Sequence, residues 1–389
     1  MKTSIKHYLR LLKYIFIMIL ESLFGWLPSK KNRIVLSVNH RRGYTCNPKY
    51  IAEYLMMNHP GKYELIWITD YPETCTHLLE KKIKVVKNKS VKHFYYVMTA
   101  QVNITNDFFV FNKKKQLSIN TWHGGGAYKK SGMAITDGIE RIVHKITYRY
   151  TDYIISSSRK FTEEGEDMFG YEAGKFLPFG MPRNDVFFCE SNKIKEKIYS
   201  KYSISNETKI LLYAPTFREK GNLPLGLFVE YEQILDAVKA TFGGEWVLFY
   251  RGHYFDNNIY AINDDFFNVS DYEDVQELLC VADVLITDYS SVMWDFGLTD
   301  KPCFLYVPDL EIYLQYERQF YSDICDWPYS SAKTVGELIT NINQFNEMEY
   351  LIKVKAHYET LESYENGSAT KKIVDLIDTY YEKNMRGGL

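Results

Sequence analysis

Residues 283–296 read DVLITDYSSVMWDF. A short β-branched run, VLIT, stops at an acidic residue, Asp288, and two serines then lead into an apolar stretch with helical spacing. Strand, polar turn, helix is the unit from which open parallel sheets are built, and such sheets collect their ligands at the carboxyl ends of the strands. Ser290 or Ser291 is placed to cap the helix. The free N–H groups and positive dipole end of a helix start suit a phosphate. Asp295 would lie one turn into that helix. Plain capping is the competing explanation for the serines.

The same unit recurs on both sides. KILLYAPTF (209–217), EWVLFY (245–250) and PCFLYV (302–307) read as further strands, separated by helical patterns such as VEYEQILDAVKATF (229–242). Earlier in the chain, RIVLSVN (33–39), ELIWITD (64–70), IKVVK (83–87), QVNITND (101–107), LSINTW (117–122) and DYIISSS (152–158) form a first series. SVKHFYYVMTA (90–100) is a helix within it, and Asn47 as cap with Pro48 as first residue opens another. Between the two series lies a lysine-rich stretch, SNKIKEKIYSKYSISNETK (191–209). The pattern predicts an α/β fold in two halves, 29–195 and 196–389, with the last helix, TKKIVDLIDTYYEKNM (370–385), able to pack on either.

The bulk composition agrees. The 389 residues are long enough for two cores, and 46% hydrophobic with 25% charged residues is a globular balance. A net charge of −2 argues against nucleic acid as a partner. The aromatic share of 16%, with 33 Tyr, implies many half-polar surfaces. Cysteines 46, 75, 189, 280, 303 and 325 make no CxxC pair and no metal-finger spacing, as expected of reduced thiols in the cytoplasm.

Residues 1–28 differ from the rest. Lys2, Lys6, Arg10 and Lys13 alternate with Ile5, Leu9 and Leu12, an apolar run covers Tyr14–Leu20, and Pro28 closes the segment. The run is shorter than a bilayer span, and no small-residue cleavage site follows it. The expectation is a basic amphipathic helix on the cytoplasmic leaflet of the membrane, against the alternative of a first helix packed into a core.

Polar residues follow four strands at the edge where ligands gather: Trp122-His123-Gly124, Thr216-Phe217-Arg218, Arg251-Gly252-His253 and Asp288-Tyr289-Ser290-Ser291. Arginine suits phosphate because its fork donates two parallel hydrogen bonds, whereas a lone arginine in a loop is more often merely solvated. His123 sits in INTWHGGGAYKKSG (119–132). An HGGG oxyanion loop would need a GxSxG nucleophile elbow, which the chain lacks. The glycines do not spell the GxGxxG of a nicotinamide site. A general base beside a glycine-lined approach and a structural histidine both stay open. Asp264-Asp265 and Asp271–Asp274 are acidic loops of the solvated kind, so neither a required metal nor a cofactor is expected.

Taken in order, TWHGGGAYKKSG, PFGMPRNDVFF (178–188), LLYAPTFRE (211–219), YRGH (250–253), DYEDVQELLCVADVLITDYSSVMWDF (271–296) and KPCFLYVPDLEIY with ERQFY (301–321) resemble the CDP-glycerol glycerophosphotransferase family. These are the primases and polymerases of teichoic acids and their capsule-building relatives. The resemblance runs from about residue 33 to about residue 325. The family usually has HGTPLK, RPHP-like residues and RGFY where this chain has HGGGAYK, RGHY and RQFY.

The resemblance implies a GT-B fold of two Rossmann-like domains, the acceptor on the first and the CDP-polyol donor on the second. It implies His123 as catalytic base and Arg218, His253, Ser290, Ser291 and Asp295 around the donor's phosphate and polyol. Thr216, Arg251 and Asp288 join them from their places at the strand ends. The reaction implied moves glycerol phosphate, or ribitol phosphate, from CDP-glycerol or CDP-ribitol to a hydroxyl of a lipid-linked glycan or polymer, with CMP leaving, at the cytoplasmic face of the membrane. The alternatives are a GT-B glycosyltransferase with a nucleotide-sugar donor and a membrane-bound scaffold without catalysis.

Overall fold

The computed structural model describes residues 2–38, 43–108, 112–113, 115–124, 126, 128–216, 218, 226–252 and 265–386. Each β-branched run becomes a strand, and all but VLIT, IKVVK and EWVLFY stop short of the run's last residues, which already turn into the loop. The chain divides into two compact units. The first comprises Met1–Gly124, Ser131–Asp185 and Tyr364–Leu389, and the second Gly125–Lys130 and Val186–Ser363.

In the first unit, β1 (Arg33–Ser37), β2 (Glu64–Thr69), β3 (Lys84–Lys87), β4 (Val102–Thr105), β5 (Leu117–Asn120), β6 (Tyr153–Ser156) and β7 (Phe176–Pro178) form a sheet in the order β3-β2-β1-β4-β5-β6-β7. Every pairing is parallel. In the second, β8 (Lys209–Tyr213), β9 (Trp246–Tyr250), β10 (Phe266–Asn268), β11 (Val284–Thr287), β12 (Cys303–Tyr306) and β13 (Ser330–Ala332) follow the order β10-β9-β8-β11-β12-β13, again parallel throughout. Helices cover both faces of such a sheet, which is why β1, β9 and β11 are buried along their whole length. The strand order reverses between β1 and β4 in one sheet and between β8 and β11 in the other. Ligands bind at the carboxyl side of these reversals. The short strands β7, β10 and β13 carry too few apolar residues to be legible in advance.

The division expected at residue 195 falls instead at Asp185, and the last helix belongs to the first unit. Its start is capped from that boundary: the Asp185 carboxylate accepts from the backbone N–H groups of Ala369 (3.0 Å) and Thr370 (2.7 Å). Ile373, Val374 and Ile377 of this helix (Ala369–Arg386) are buried with Ile51, Ala52 and Leu55 of the helix Cys46–Asn58.

Helix α1 (Lys2–Leu23) lies on the surface of the first unit, against the helices Val91–Thr99 and Gly138–Tyr148. Arg10 is tied to Glu140 at 2.7 Å, and Phe24 stacks on Phe94. The opposite face is apolar and open: Leu9, Leu12, Phe16, Ile19 and Leu23 are 53–61% exposed, and Trp26 beyond the helix 81%. Among the described residues no helix is long and apolar enough to cross a membrane.

Candidate active site

In the first unit the chain leaves β5 through Thr121 and Trp122 to His123, and each carbonyl on this path is held. The Asn47 amide donates to Thr121 O at 2.9 Å and Trp122 O at 3.0 Å, and Arg183 Nη1 donates to His123 O at 2.7 Å. Asn47 Oδ1 in turn accepts from the Arg183 backbone N–H at 3.0 Å. Asn47 is therefore no helix cap, as its sequence position suggested: Thr45 occupies that place, and the fully buried Asn47 side chain braces the histidine loop. Trp122 adopts φ +51°, a left-handed conformation a bulky residue takes only when its surroundings impose it.

A bond to a backbone carbonyl orients the His123 ring. Its Nδ1 lies 2.9 Å from Asn106 O. A carbonyl can only accept, so the proton sits on Nδ1 and the lone pair of the neutral ring is on Nε2. The Trp122 ring lies beside it, with centroids 4.4 Å apart. His123 is half-buried rather than sealed in the core.

The glycines after His123 serve a different purpose from clearing space around the imidazole. A Cβ at Gly126 would come within 2.0 Å of Trp294 Cδ1, so that position requires glycine for packing in the second unit. There Tyr128 Oη donates to Tyr289 O at 2.7 Å, and the Tyr128 carbonyl accepts from Tyr321 N–H. Lys129 follows, its ammonium over the Tyr128 and Tyr313 rings. Burial pulls the Lys129 ammonium down to about 8, against the pull of Asp288 in the other direction.

The sharpest cluster of the second unit joins the ends of β8 and β11, at the reversal of strand order. Asp288 accepts from Thr216 N–H at 2.9 and 3.0 Å, from Thr216 Oγ1 at 2.6 Å and from Arg218 Nη2 at 2.8 Å. Arg218 also donates to Asp309 at 2.8 and 3.1 Å and to Thr216 O at 2.6 Å. Its guanidinium is flanked by the Tyr289 and Tyr313 rings, both centroids 5.0 Å away. Burial works against its charge, and Asp288 and Asp309 more than offset that, so it stays protonated. Arg218 and Asp288 thus form a buried pair that shapes the turn, instead of the open phosphate contact expected for Arg218.

The remaining expected residues divide. Ser290 and Ser291 are partly exposed after β11. Ser291 stands at the start of the helix Val292–Phe296 but makes no side-chain cap, because its φ of −64° and ψ of −10° are already helical. Asp295 is 1% exposed and accepts from Gln276 Nε2 at 2.9 Å, inside the unit. Arg251 follows β9 and donates to Tyr272 O. His253 lies outside the described residues. In the acidic stretch 271–274, Asp274 caps the helix Val275–Val281 by accepting from Gln276 N–H.

Asn47, Asn106, Arg183, Lys129 and Asp309 were not singled out as site residues from the sequence. The available signal was a polar residue kept inside an otherwise apolar block, as in PFGMPRNDVFF and KPCFLYVPDLEIY. Replacing Asn47 by Ala strands two buried carbonyls and one N–H, so Asn47→Ala is expected to lose about 3 kcal/mol of stability, read from the urea midpoint.

Known proteins resemble this chain in sequence and in fold. The family model for CDP-Glycerol:Poly(glycerophosphate) glycerophosphotransferase matches residues 19–379. A teichoic acid poly(glycerol phosphate) polymerase of Staphylococcus epidermidis is 30% identical over 90% of this chain and 50% of its own length, so the chain spans about half of that relative. A polymerase of the same name from Bacillus spizizenii is 29% identical over 91% of this chain and 93% of its own. The solved structure of the wall teichoic acid polymerase TagF is similar with a TM-score of 0.81 at 26% identity, covering 99% of both chains. Two parallel-sheet α/β units similar to TagF are consistent with a GT-B-like fold. With the six motif blocks and the braced histidine in place, the chain belongs to the CDP-Glycerol:Poly(glycerophosphate) glycerophosphotransferase family.

Proposed function

We propose that this protein transfers glycerol phosphate, or the related ribitol phosphate, from its CDP-linked donor to a hydroxyl of a lipid-linked or polymeric glycan, releasing CMP, in teichoic acid or capsular polymer synthesis. The observation that carries the reading is the His123 ring, whose Nδ1–H is spent on Asn106 O and whose Nε2 is the basic atom. His123 Nε2 takes the proton of the acceptor hydroxyl as its oxygen attacks the phosphorus that bears the polyol. The bond from that phosphorus to the CMP phosphate oxygen breaks, and CMP leaves with the electron pair. Such a transfer depends on positioning and charge neutralisation more than on covalent chemistry.

In this reading the donor's phosphates face the partly exposed Ser290 and Ser291, with Arg251, His253 and the Lys129 ammonium supplying positive charge. Thr216, Asp288, Arg218 and Asp295 act one layer beneath, holding the turn. The test is CMP release by the purified protein from CDP-glycerol and from CDP-ribitol in the presence of a lipid-linked acceptor. Release from one names the donor, and acceptor-dependent release from neither overturns the proposal.

The same reading places α1 on the cytoplasmic leaflet, its open apolar face in the acyl boundary and its inner face on the protein. Burying a Leu or Phe side chain is worth about 1.5–3 kcal/mol. Leu12→Glu with Phe16→Glu is therefore expected to weaken binding to anionic phospholipid vesicles on the order of a hundredfold. Unchanged co-sedimentation would remove the membrane from the account.

A further inference from the structure

A cavity of about 180 Å³ lies inside the first unit, between the inner face of α1 and the carboxyl ends of β1, β2 and β4. Tyr14 and Ile17 of α1 form one wall, and Asn88, Asn103, Asp107 and Phe108 stand among the residues opposite. This is the reversal point of the first sheet, the place where an open parallel sheet holds its ligand. Neither His123 nor the donor residues of the second unit line it.

Its chemistry selects one class of occupant. Lys13 and Lys89 are balanced by Glu21 and Asp107, so it offers no net cationic cradle for a diphosphate. Val35, Ile68, Val97 and Ile104 line it beside its amides and carboxylates, so an occupant must offer polar as well as apolar surface. Aromatic rings beside amide and carboxylate groups are suited to a ligand with apolar C–H faces and many hydroxyls. One atom asks for such a donor directly. Asn103 is 2% exposed, and its Nδ2 is committed to Asn112 Oδ1 at 3.1 Å and Val97 O at 3.4 Å, which fixes the orientation of the amide. Its Oδ1 is buried and has no hydrogen-bond partner among the described residues. A buried acceptor left unpaired costs about 1–3 kcal/mol, which a ligand hydroxyl would relieve.

The cavity wall and the mount of the base are the same loop. Asp107 is the next residue after Asn106, whose carbonyl holds His123 Nδ1. The Phe108 ring lies 5.8 Å from Trp122, which flanks His123.

We infer that this cavity seats the hydroxyl-rich end of the acceptor, a sugar or polyol unit set back from the hydroxyl that reaches His123. The inference rests on the transfer reading above and assigns its acceptor to a particular place in the first unit. The same hydroxyl-rich chemistry could come from a glycan or from the end of a growing polyol-phosphate chain.

Saturation-transfer NMR on the full chain tests it with two probes, chitobiose for the glycan and glycerophosphoglycerol for the polymer end. One of them is expected to bind, which tells the sources apart. Ile17→Trp, which fills the cavity from α1, and Tyr14→Ala, which removes a wall, should each weaken that probe on the order of tenfold. In turnover they should raise the acceptor KM and not that of CDP-glycerol. Binding of neither probe, or binding indifferent to both variants in folded protein, overturns the inference. Should wild-type protein release no CMP yet bind a probe in a way both variants abolish, the transfer reading falls and the hydroxyl-rich site stands. Should it release CMP while probe binding ignores the variants, the transfer reading stands and the site in this cavity falls.

Discussion

His123→Ala is expected to lower acceptor-dependent CMP release about a thousandfold while the protein stays folded, since a positioned general base contributes 10²–10⁴-fold. The loop should keep its course without the imidazole. Its carbonyls at Thr121, Trp122 and His123 are held by Asn47 and Arg183, neither of which touches the His123 ring in doing so. The loss should fall on turnover, with the KM for CDP-glycerol little changed, because the base meets the acceptor hydroxyl and not the donor. The bond from His123 Nδ1 goes to the Asn106 backbone carbonyl, which Asn106→Ala keeps, so that variant should leave the tautomer in place and cost far less in turnover. Full activity in His123→Ala would return the protein to the scaffold or sugar-transfer alternatives.

How much of this was legible in the sequence follows from which interactions are local. The strands announce themselves because a chain segment buried on both faces must be apolar along its length, as in RIVLS and WVLFY. The strand ends announce the site because the residue after such a run is the first free to be polar, which singles out His123, Thr216, Arg251 and Asp288. What each side chain does there is not local. Arg218 and Asp309 are far apart in the chain, and no spacing rule reveals that they and Asp288 neutralise one another. Asn47 looked like a helix cap because asparagine before proline usually is one. The chain brings Trp122 and Arg183 to it from remote segments, and two carbonyls outcompete the cap. Gly126 looked like room for a ligand and is room for Trp294. The last helix fitted either half by its pattern, and Asp185, through its bonds to Ala369 and Thr370, decides the matter.

Asp288→Ala is expected to have the largest effect on stability, about 3–5 kcal/mol, because it breaks a buried charge pair from one side. Arg218 would retain Asp309 but lose the acceptor of its second Nη2 bond, and the Thr216 N–H would lose both carboxylate oxygens. The change should appear as a lower urea midpoint for the second unit. Asp288→Asn keeps an oxygen for Thr216 but loses the charge and turns the oxygen that accepts from Arg218 into an N–H donor, so it should fall between the unaltered protein and Asp288→Ala. The pair of variants separates two roles for this aspartate. A residue that holds the turn from beneath must lower stability in proportion to the loss in donor affinity, since both follow from the same displaced Ser290 and Ser291. One that touches the donor directly would lose affinity for CDP-glycerol at unchanged midpoint. With Asp288 only 2% exposed and already accepting from Thr216 and Arg218, the coupled loss is the outcome this geometry requires.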